Sequence, residues 1–391
     1  MRNVNDAITD KLLRHQIYLL RHAASESEAA KALLMATESD VETVLFKFLR
    51  SNSTLNSKVD WVRLSDMLDQ VKAIRSESWD TIGTNLNSGL TTLAIDEGAF
   101  MAAAVTAAMP VVVDLALPLP GLLKSIVDDR PFEGRVLKDW VAKLEESDVS
   151  RIGNAVKMGM VQGESIDAII ERVMGSASAG GKGGAIAMAH NDVEAIVRTA
   201  VMHVSNDAHH EFYRENQDIS NKEMFLATLD SRTSSQCRAY DHKIYNFNEG
   251  PHPVLHLRCR SVRTPVVDGF DWGDRPMRPT TEKQIVRDFL KTMPDAVTDS
   301  PALRATPAYQ KFRAKTMRDT FGRVEATTSY QEWLTKQPQW FQEDVLGIQK
   351  AKLFRDGGLK LDQFIDMKSG EEFTLAQLRE KHPKIFTKTG L

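Results

Sequence analysis

The sequence predicts an α+β protein: a mainly helical N-terminal region, a small antiparallel β unit around a cysteine and histidine loop, and a mixed helical C-terminal region. Three observations predict it. Apolar residues recur at helical spacing through much of the first half. Between Leu229 and Val262 short apolar or alternating runs are separated by turn-rich links. After Pro301, helical segments are punctuated by proline, glycine and capping residues. A length of 391 residues allows two or three domains. The expected division is a helical domain over 1–130, a domain over 131–270 holding the β unit, a linker over 271–300, and a basic helical or mixed domain over 301–391.

The composition, 42% hydrophobic and 26% charged, is that of an ordinary soluble globular chain. A net charge of −3 excludes a molecule that is a strong polyanion binder as a whole. Met1 to Asp10 is mostly polar and no apolar core follows, so no secretory leader is expected.

Asp6 to about Ser88 reads as helices. Leu12, Leu13, Ile17, Leu19 and Leu20 form a stripe, and Val41–Leu49 and Val62–Ile74 are two more periodic segments. Asp60, just before Trp61, is the expected cap of the latter, accepting from a first-turn N–H. Ala99 to Leu117 is the most apolar run and raises the membrane question. Pro110 breaks it and Asp114 interrupts it, so the expectation is a buried helix followed by an extended segment.

Leu137 to Val173 is again helical. Trp140, Val141, Leu144 and Val149 are apolar, and a new helix starts at Ser165 as cap, with Ile166, Ile169, Ile170 and Val173 facing the core. Gly175 to Gly184 reads as a flexible loop. It imitates a phosphate loop poorly, since Ser176 stands where a glycine belongs and Gly183 follows Lys182 in place of Ser or Thr. Asn191 to Asn216 is a strong helix, with Val193, Ile196, Val197, Ala200, Val204, Ala208 and Phe212 on its apolar face. His203, His209 and His210 read as a solvated or interface cluster in preference to a metal site.

Three strands are expected next: Met224–Leu229, Lys243–Phe247 and Arg260–Val267, the last ending at or edged by Pro265. Pairing them antiparallel brings Cys237 and Cys259 close, although they are 22 positions apart. These are the only cysteines of the chain, and His242, His252 and His256 share the stretch. A closed structural zinc site needs four N or S ligands. The candidates are Cys237, His256 and Cys259 with one of His242, His252 or Asp230. A metal-free packed loop and a Cys237–Cys259 disulfide are the alternatives, the latter disfavoured in a reducing cytoplasm.

D-S-R-T-x-x-x-C, then D-H-K-I-Y, then P-x-x-H-x-x-C-R-S resembles the signature of the phage head-morphogenesis proteins, the Mu F-like minor head proteins of tailed bacteriophages. The form with one cysteine in each half and an H-x-x-C-R-S ending fits best. Asp230, Arg232, Thr233, Cys237, Asp241, Lys243, Tyr245, His256, Cys259, Arg260 and Ser261 match it. His242 departs from it, standing where the family usually has glycine, at a turn that calls for a positive φ. The order of a G-x-S helix start, a glycine-rich linker, an I-V-R-T helix with Arg198 and Thr199, and the D-x-R-T block extends the resemblance over about residues 130–265. The 131–270 domain is thus expected to be the head-morphogenesis domain.

Beyond Asp268 an aromatic loop, a short helix over Thr281–Leu290 and a connector over Pro294–Pro307 are expected. Over 301–391, Lys and Arg outnumber Asp and Glu by 16 to 11. Tyr330 to Gln349 reads as a helix pair split at Gln337-Pro338, a further helix stops before Gly357-Gly358, Ile365 to Phe373 reads as a hairpin, and Thr374 caps a last helix. The run E-W-L-x-x-Q-P, L-G, L-F-R-x-G, L-x-L-x-x-F, T-L-x-x-L-R is similar to C-terminal segments of some phage minor head proteins.

The resemblance implies a structural, non-enzymatic minor head protein. It would be oligomeric in the virion, in the head interior or at the portal vertex, and in the host cytoplasm during assembly. Its partners would be the portal, other head proteins and packaged DNA, with no membrane in the assembled state and no cofactor beyond a structural zinc. It would act in head assembly and in DNA packaging or delivery. The basic residues of the loop supply candidate DNA contacts in Arg232, Arg238, Arg258, Arg260 and Arg263. Against this, Arg232 and Arg260 can pair with Asp230 and Asp241 and only brace the loop. The rival is a metal-dependent, nuclease-like enzyme centred on Asp230 and His256 and ejected with the genome.

Overall fold

The computed structural model describes residues 3–51, 58–175, 183–270, 272–294 and 297–391. Residues 176–182 of the glycine-rich stretch weighed as a phosphate loop, Ser176 and Lys182 among them, fall outside these ranges.

The first half is helical: α1 (Val4–Met35), α2 (Glu38–Ser51), α3 (Lys58–Thr106), α4 (Pro120–Asp128), α5 (Leu137–Val161), α6 (Ile166–Met174) and α7 (Ala185–Glu215). Beside a smaller cluster where the start of α1 meets the ends of α3 and α7, two large apolar cores form. One joins α2 and the start of α3 to α5 and α6 through Val41, Leu45, Leu64, Val71, Ile152, Ile169 and Val173. The other surrounds α7, which α1, α3, α4 and α5 enclose. At about 1.5 Å per residue, α3 is long enough to take part in both.

The expected apolar face of α7 is buried, and so is most of the rest of the helix. His203 and His209 are therefore core residues, 6% and 4% exposed, and not solvated. A periodic stripe shows which face is most apolar; it does not show how many neighbours cover the others. The α1 stripe is also displaced. Ile17 is 48% exposed, because the adjacent Gln16 turns inward and its amide donates to the Arg260 carbonyl. Asp60 lies inside the first turn of α3, which begins at Lys58, instead of capping it.

Buried polar pairs lock the helices together. Arg75 in α3 donates to Asp148 of α5 (2.7 Å) and to the Leu34 carbonyl near the end of α1 (2.7 Å). Trp79 donates to the same Asp148 oxygen at 3.1 Å. Ser165 caps α6 as expected, accepting from the Ala168 N–H. After Thr106 the apolar run leaves the helix and becomes extended up to α4, as the proline at 110 requires. Among the described residues no helix is long and apolar enough to cross a membrane.

The β unit has strands β1 (Lys222–Leu226) and β2 (Leu229–Asp230), the short helix α8 (Ser235–Tyr240), then β3 (Ile244–Asn246) and β4 (Val262–Pro265). Strands β3, β1 and β4 form an antiparallel sheet in that order, with Glu223 opposite Tyr245 on one side and Pro265 on the other. Pro265 ends an edge strand, as expected. The expected single strand Met224–Leu229 is instead divided. Residues after Leu226 leave the first sheet, and β2 enters a second one.

That second sheet was not foreseen. It has the order β2-β5-β6, with β5 (Asp274–Arg278) parallel to β2 and antiparallel to a later strand, β6 (Gly322–Glu325). Pro276 argues against a strand at β5, yet β2 pairs only with Met277 and Arg278. At Pro276 the strand has one neighbour, as at an edge.

Between β5 and β6 lie α9 (Glu282–Leu290), capped by Thr281, then α10 (Pro301–Ala305) and α11 (Pro307–Asp319). The last two begin at Ser300-Pro301 and Thr306-Pro307, where a hydroxyl cap precedes a proline at the first helical position. The expected connector is thus partly helical. The rest is α12 (Tyr330–Thr335), α13 (Gln339–Leu346), α14 (Ile348–Arg355), α15 (Leu375–Lys381) and α16 (Pro383–Thr389). The split at Pro338, the Thr374 cap and the Ile365–Glu372 pairing agree with the sequence reading; α16, beyond the supposed last helix, was missed. Leu229 of β2 joins the aromatic core of these helices, with Tyr330, Trp333, Phe341 and Phe354.

Candidate functional site

The motif residues form a buried junction. Leaving β1, the chain turns at Ala227, whose N–H donates to Asp241 Oδ1 at 2.7 Å. Asp230 follows at the end of β2. Its oxygens accept both Nη atoms of Arg260 at 2.8 and 2.7 Å, and Oδ1 also takes the Arg232 N–H at 3.0 Å. Burial alone would raise the pKa of this carboxyl; the Arg260 hydrogen bonds and charge outweigh it and hold it below its usual range. Thr233 Oγ1 donates to the Thr228 carbonyl at 2.5 Å, closing the turn.

Ser234 then caps α8 by accepting from the Cys237 N–H at 3.2 Å. This six-residue helix was not read from the sequence; S-x-x-C lacks the acidic or amide partner of a capping box. Its far end reaches Asp241 and His242. His242 has φ 66°, the left-handed conformation that the family's glycine would take without strain. Its N–H donates to the Phe225 carbonyl at 2.8 Å.

Asp241 is the hub of the junction. Its side chain is fully buried and accepts from Arg275 Nη2 and Nη1, both at 3.0 Å, and from the Tyr330 N–H at 2.7 Å, besides Ala227. Arg275 also donates to the Ala227 and Thr328 carbonyls. Tyr330 returns a hydrogen bond from its hydroxyl to the Asp230 carbonyl at 2.8 Å. The motif residue Lys243 and two of its neighbours, Arg238 and Tyr240, make the same crossing. Tyr240 donates to the Met367 carbonyl, Lys243 to Asp362, and Arg238 to the Val345 carbonyl. The motif thus joins the first sheet to the C-terminal helices. Arg275 and Tyr330 are missing from the sequence reading; nothing in a local motif points to partners 34 and 89 positions away.

The cysteine and histidine cluster lies on the other side of α8. Cys237 and Cys259 are 2% and 1% exposed, with their sulfurs 3.8 Å apart. His256 Nε2 is 3.3 Å from the Cys237 sulfur and 2.9 Å from Ser234 Oγ. The hydrogen bond between the sulfurs holds one thiol, Cys259, well below its usual range and pushes Cys237 up. Contact with Cys259 raises His256. None of the proposed fourth ligands joins the cluster. Among the described residues it consists of Cys237, His256 and Cys259 alone. Asp230 is held by Arg260, and His252 lies 3.6 Å from Asp207.

The candidate DNA-contacting arginines divide. Arg263 is 3% exposed and faces Glu223 at 3.5 Å. Arg260 braces Asp230, and Arg238 lies over the Tyr330 ring. Arg232 is 66% exposed with its guanidinium 3.6 Å from Asp230, and Arg258 is exposed too. These two border a cleft of about 520 Å³ with Arg198, Ser234 and His256. Thr199 Oγ1 accepts the Arg258 N–H at 2.8 Å and fixes that residue at φ 61°. The I-V-R-T helix and the H-x-x-C-R-S turn are therefore one structure. Tyr245 on β3 and Ser261 just before β4 complete the motif, Tyr245 beneath the Arg263 guanidinium and the Ser261 carbonyl accepting from Asn206.

Residues 150–264 match the family described as Phage Mu protein F like protein. No curated protein and no solved structure matches the chain. The matched stretch runs from within α5, through α6 and α7, to the next-to-last residue of β4, and so contains the whole motif loop. The match supports kinship with the phage head-morphogenesis proteins over residues 150–264 and leaves residues 1–149 and 265–391 outside it.

Proposed function

We propose that the chain is a structural minor head protein of a tailed bacteriophage that acts at the portal vertex, in head assembly and in DNA packaging or delivery. The observation that carries this reading is the internal use of the motif's charged groups. Asp230 is held by Arg260 and Asp241 by Arg275, and the two contacts join segments 30 and 34 positions apart. A motif of this kind maintains a shape. The nuclease-like alternative needs Asp230 to share a metal with His256; the Arg260 fork occupies both of its oxygens.

DNA contact falls to Arg232 and Arg258, with Arg198 beside them at the cleft. Each phosphate neutralised steepens the fall of log K with log salt by about 0.9 on duplex DNA. The double variant Arg232→Ala/Arg258→Ala is expected to flatten that slope by about 2. An unchanged slope with an intact fold would exclude these two residues as DNA contacts.

The head role is tested on particles. Quantitative mass spectrometry of purified heads, with cross-linking, is expected to find a few copies per head, joined to the portal subunit. Absence from heads, or a copy number matching the main capsid protein, would overturn the reading.

A further inference from the structure

We infer that Cys237, His256 and Cys259 bind one divalent metal ion of the zinc class, with the fourth coordination position open to water on the arginine-lined cleft. The ligand atoms of all three residues lie within 4.8 Å of one another. Their spacing is that of tetrahedral ligands. With metal–sulfur bonds of about 2.3 Å, two thiolates at a tetrahedral angle stand about 3.8 Å apart. The sulfurs here are 3.8 Å apart. A thiolate and an imidazole nitrogen on the same ion stand about 3.5 Å apart. Cys237 Sγ and His256 Nε2 are 3.3 Å apart. A disulfide would need the sulfurs to close to about 2.05 Å.

The imidazole is oriented for the purpose. His256 Nδ1 is 2.9 Å from the Leu257 carbonyl, a contact that places a proton on Nδ1 and leaves the Nε2 lone pair facing the sulfurs. The electrostatics agree. Two thiolates neutralise a divalent cation, so the loaded cluster carries no net charge within its buried pocket. Arg258 and Arg260 flank Cys259 in sequence and line the cleft beside it, where they favour the thiolate state. Binding replaces two S–H bonds by two S–metal bonds and releases both protons to solvent. Ser234 Oγ, 2.9 Å from Nε2, can hydrogen-bond a water at the open position. The site stands independently of the role in the phage head.

Cobalt(II) is the probe. Full-length protein, purified under reducing conditions without chelator, is titrated with Co²⁺. The expected result is uptake of one equivalent, with thiolate-to-cobalt absorption in the near ultraviolet and the visible bands of a tetrahedral ion, both bleached by one equivalent of Zn²⁺. Cys259→Ser and His256→Ala are expected to weaken or lose these bands. The wild-type titration stands even if neither variant folds. Two free thiols in denaturant with no sulfur-to-cobalt band would overturn the inference. A mass lower by two hydrogens with no free thiol would overturn it in favour of a disulfide.

Discussion

Arg275→Ala is expected to cost about 3–5 kcal/mol of folding stability, the range for removing one partner of a buried ion pair. The Arg275 side chain is 3% exposed and its partner Asp241 is fully buried. In the variant Asp241 keeps two backbone donors, Ala227 and Tyr330, but loses both guanidinium hydrogen bonds and the only cation that its carboxylate contacts among the described residues. The Ala227 and Thr328 carbonyls lose a donor as well. A buried charge left without its counter-charge is the costly outcome, more than the lost attraction itself. Urea denaturation followed by circular dichroism checks this, and a loss below about 1 kcal/mol would show that the pair does not brace the junction. Arg304→Ala serves as control: its pair with Asp299 is solvent-exposed, and no measurable change is expected. Under the proposed head role, Arg275→Ala is also expected to lower incorporation into heads.

The motif loop was legible because its signals are local. Turn residues, a Pro265 strand end and paired cysteine positions lie within a short stretch, and the antiparallel pairing that they imply brings the thiols to 3.8 Å. Helix starts were legible for the same reason: the Ser165, Thr281 and Thr374 hydroxyls accept from N–H groups three positions on. What failed was long-range. The sequence gives no sign that Asp241 meets Arg275, because a carboxylate accepts any donor that the fold delivers. It offered Arg232 and Arg260 as partners for both acids; Arg260 and, at 3.6 Å, Arg232 take Asp230, and Asp241 goes to a strand hidden by Pro276. The helix around the histidines failed by the same route. His203 and His209 have polar side chains and read as solvated or interface residues, until α1, α3 and α5 close over them.

The second large effect lies in that covered helix. Glu97 of α3 is 1% exposed and is contacted by three donors from two other helices. His15 Nε2 of α1 is 2.6 Å from Oε1, and His209 Nε2 of α7 is 2.7 Å from Oε2. Ser205 Oγ of α7 donates to Oε2 at 2.6 Å. Phe100 stacks on the His15 ring with centroids 3.7 Å apart, which fixes the imidazole against the carboxylate. Burial alone would raise the pKa of Glu97; the two histidines outweigh it and bring it from 4.5 to about 2. The folded value is depressed, so the stabilisation is present above the unfolded value near 4.5 and is lost as pH falls toward 2. At 1.36 kcal/mol per unit, that shift corresponds to about 3 kcal/mol. Glu97→Gln places an amide NH₂ against a histidine or serine donor and removes the charge. It is expected to lose stability of that order at pH 7 and to flatten the fall of stability between about pH 4.5 and 2. Unfolding free energies across this range test both parts. If Glu97→Gln matches the wild type at pH 7 and keeps its acid limb, then α1, α3 and α7 are held by apolar packing alone, and the buried carboxylate is not what joins them.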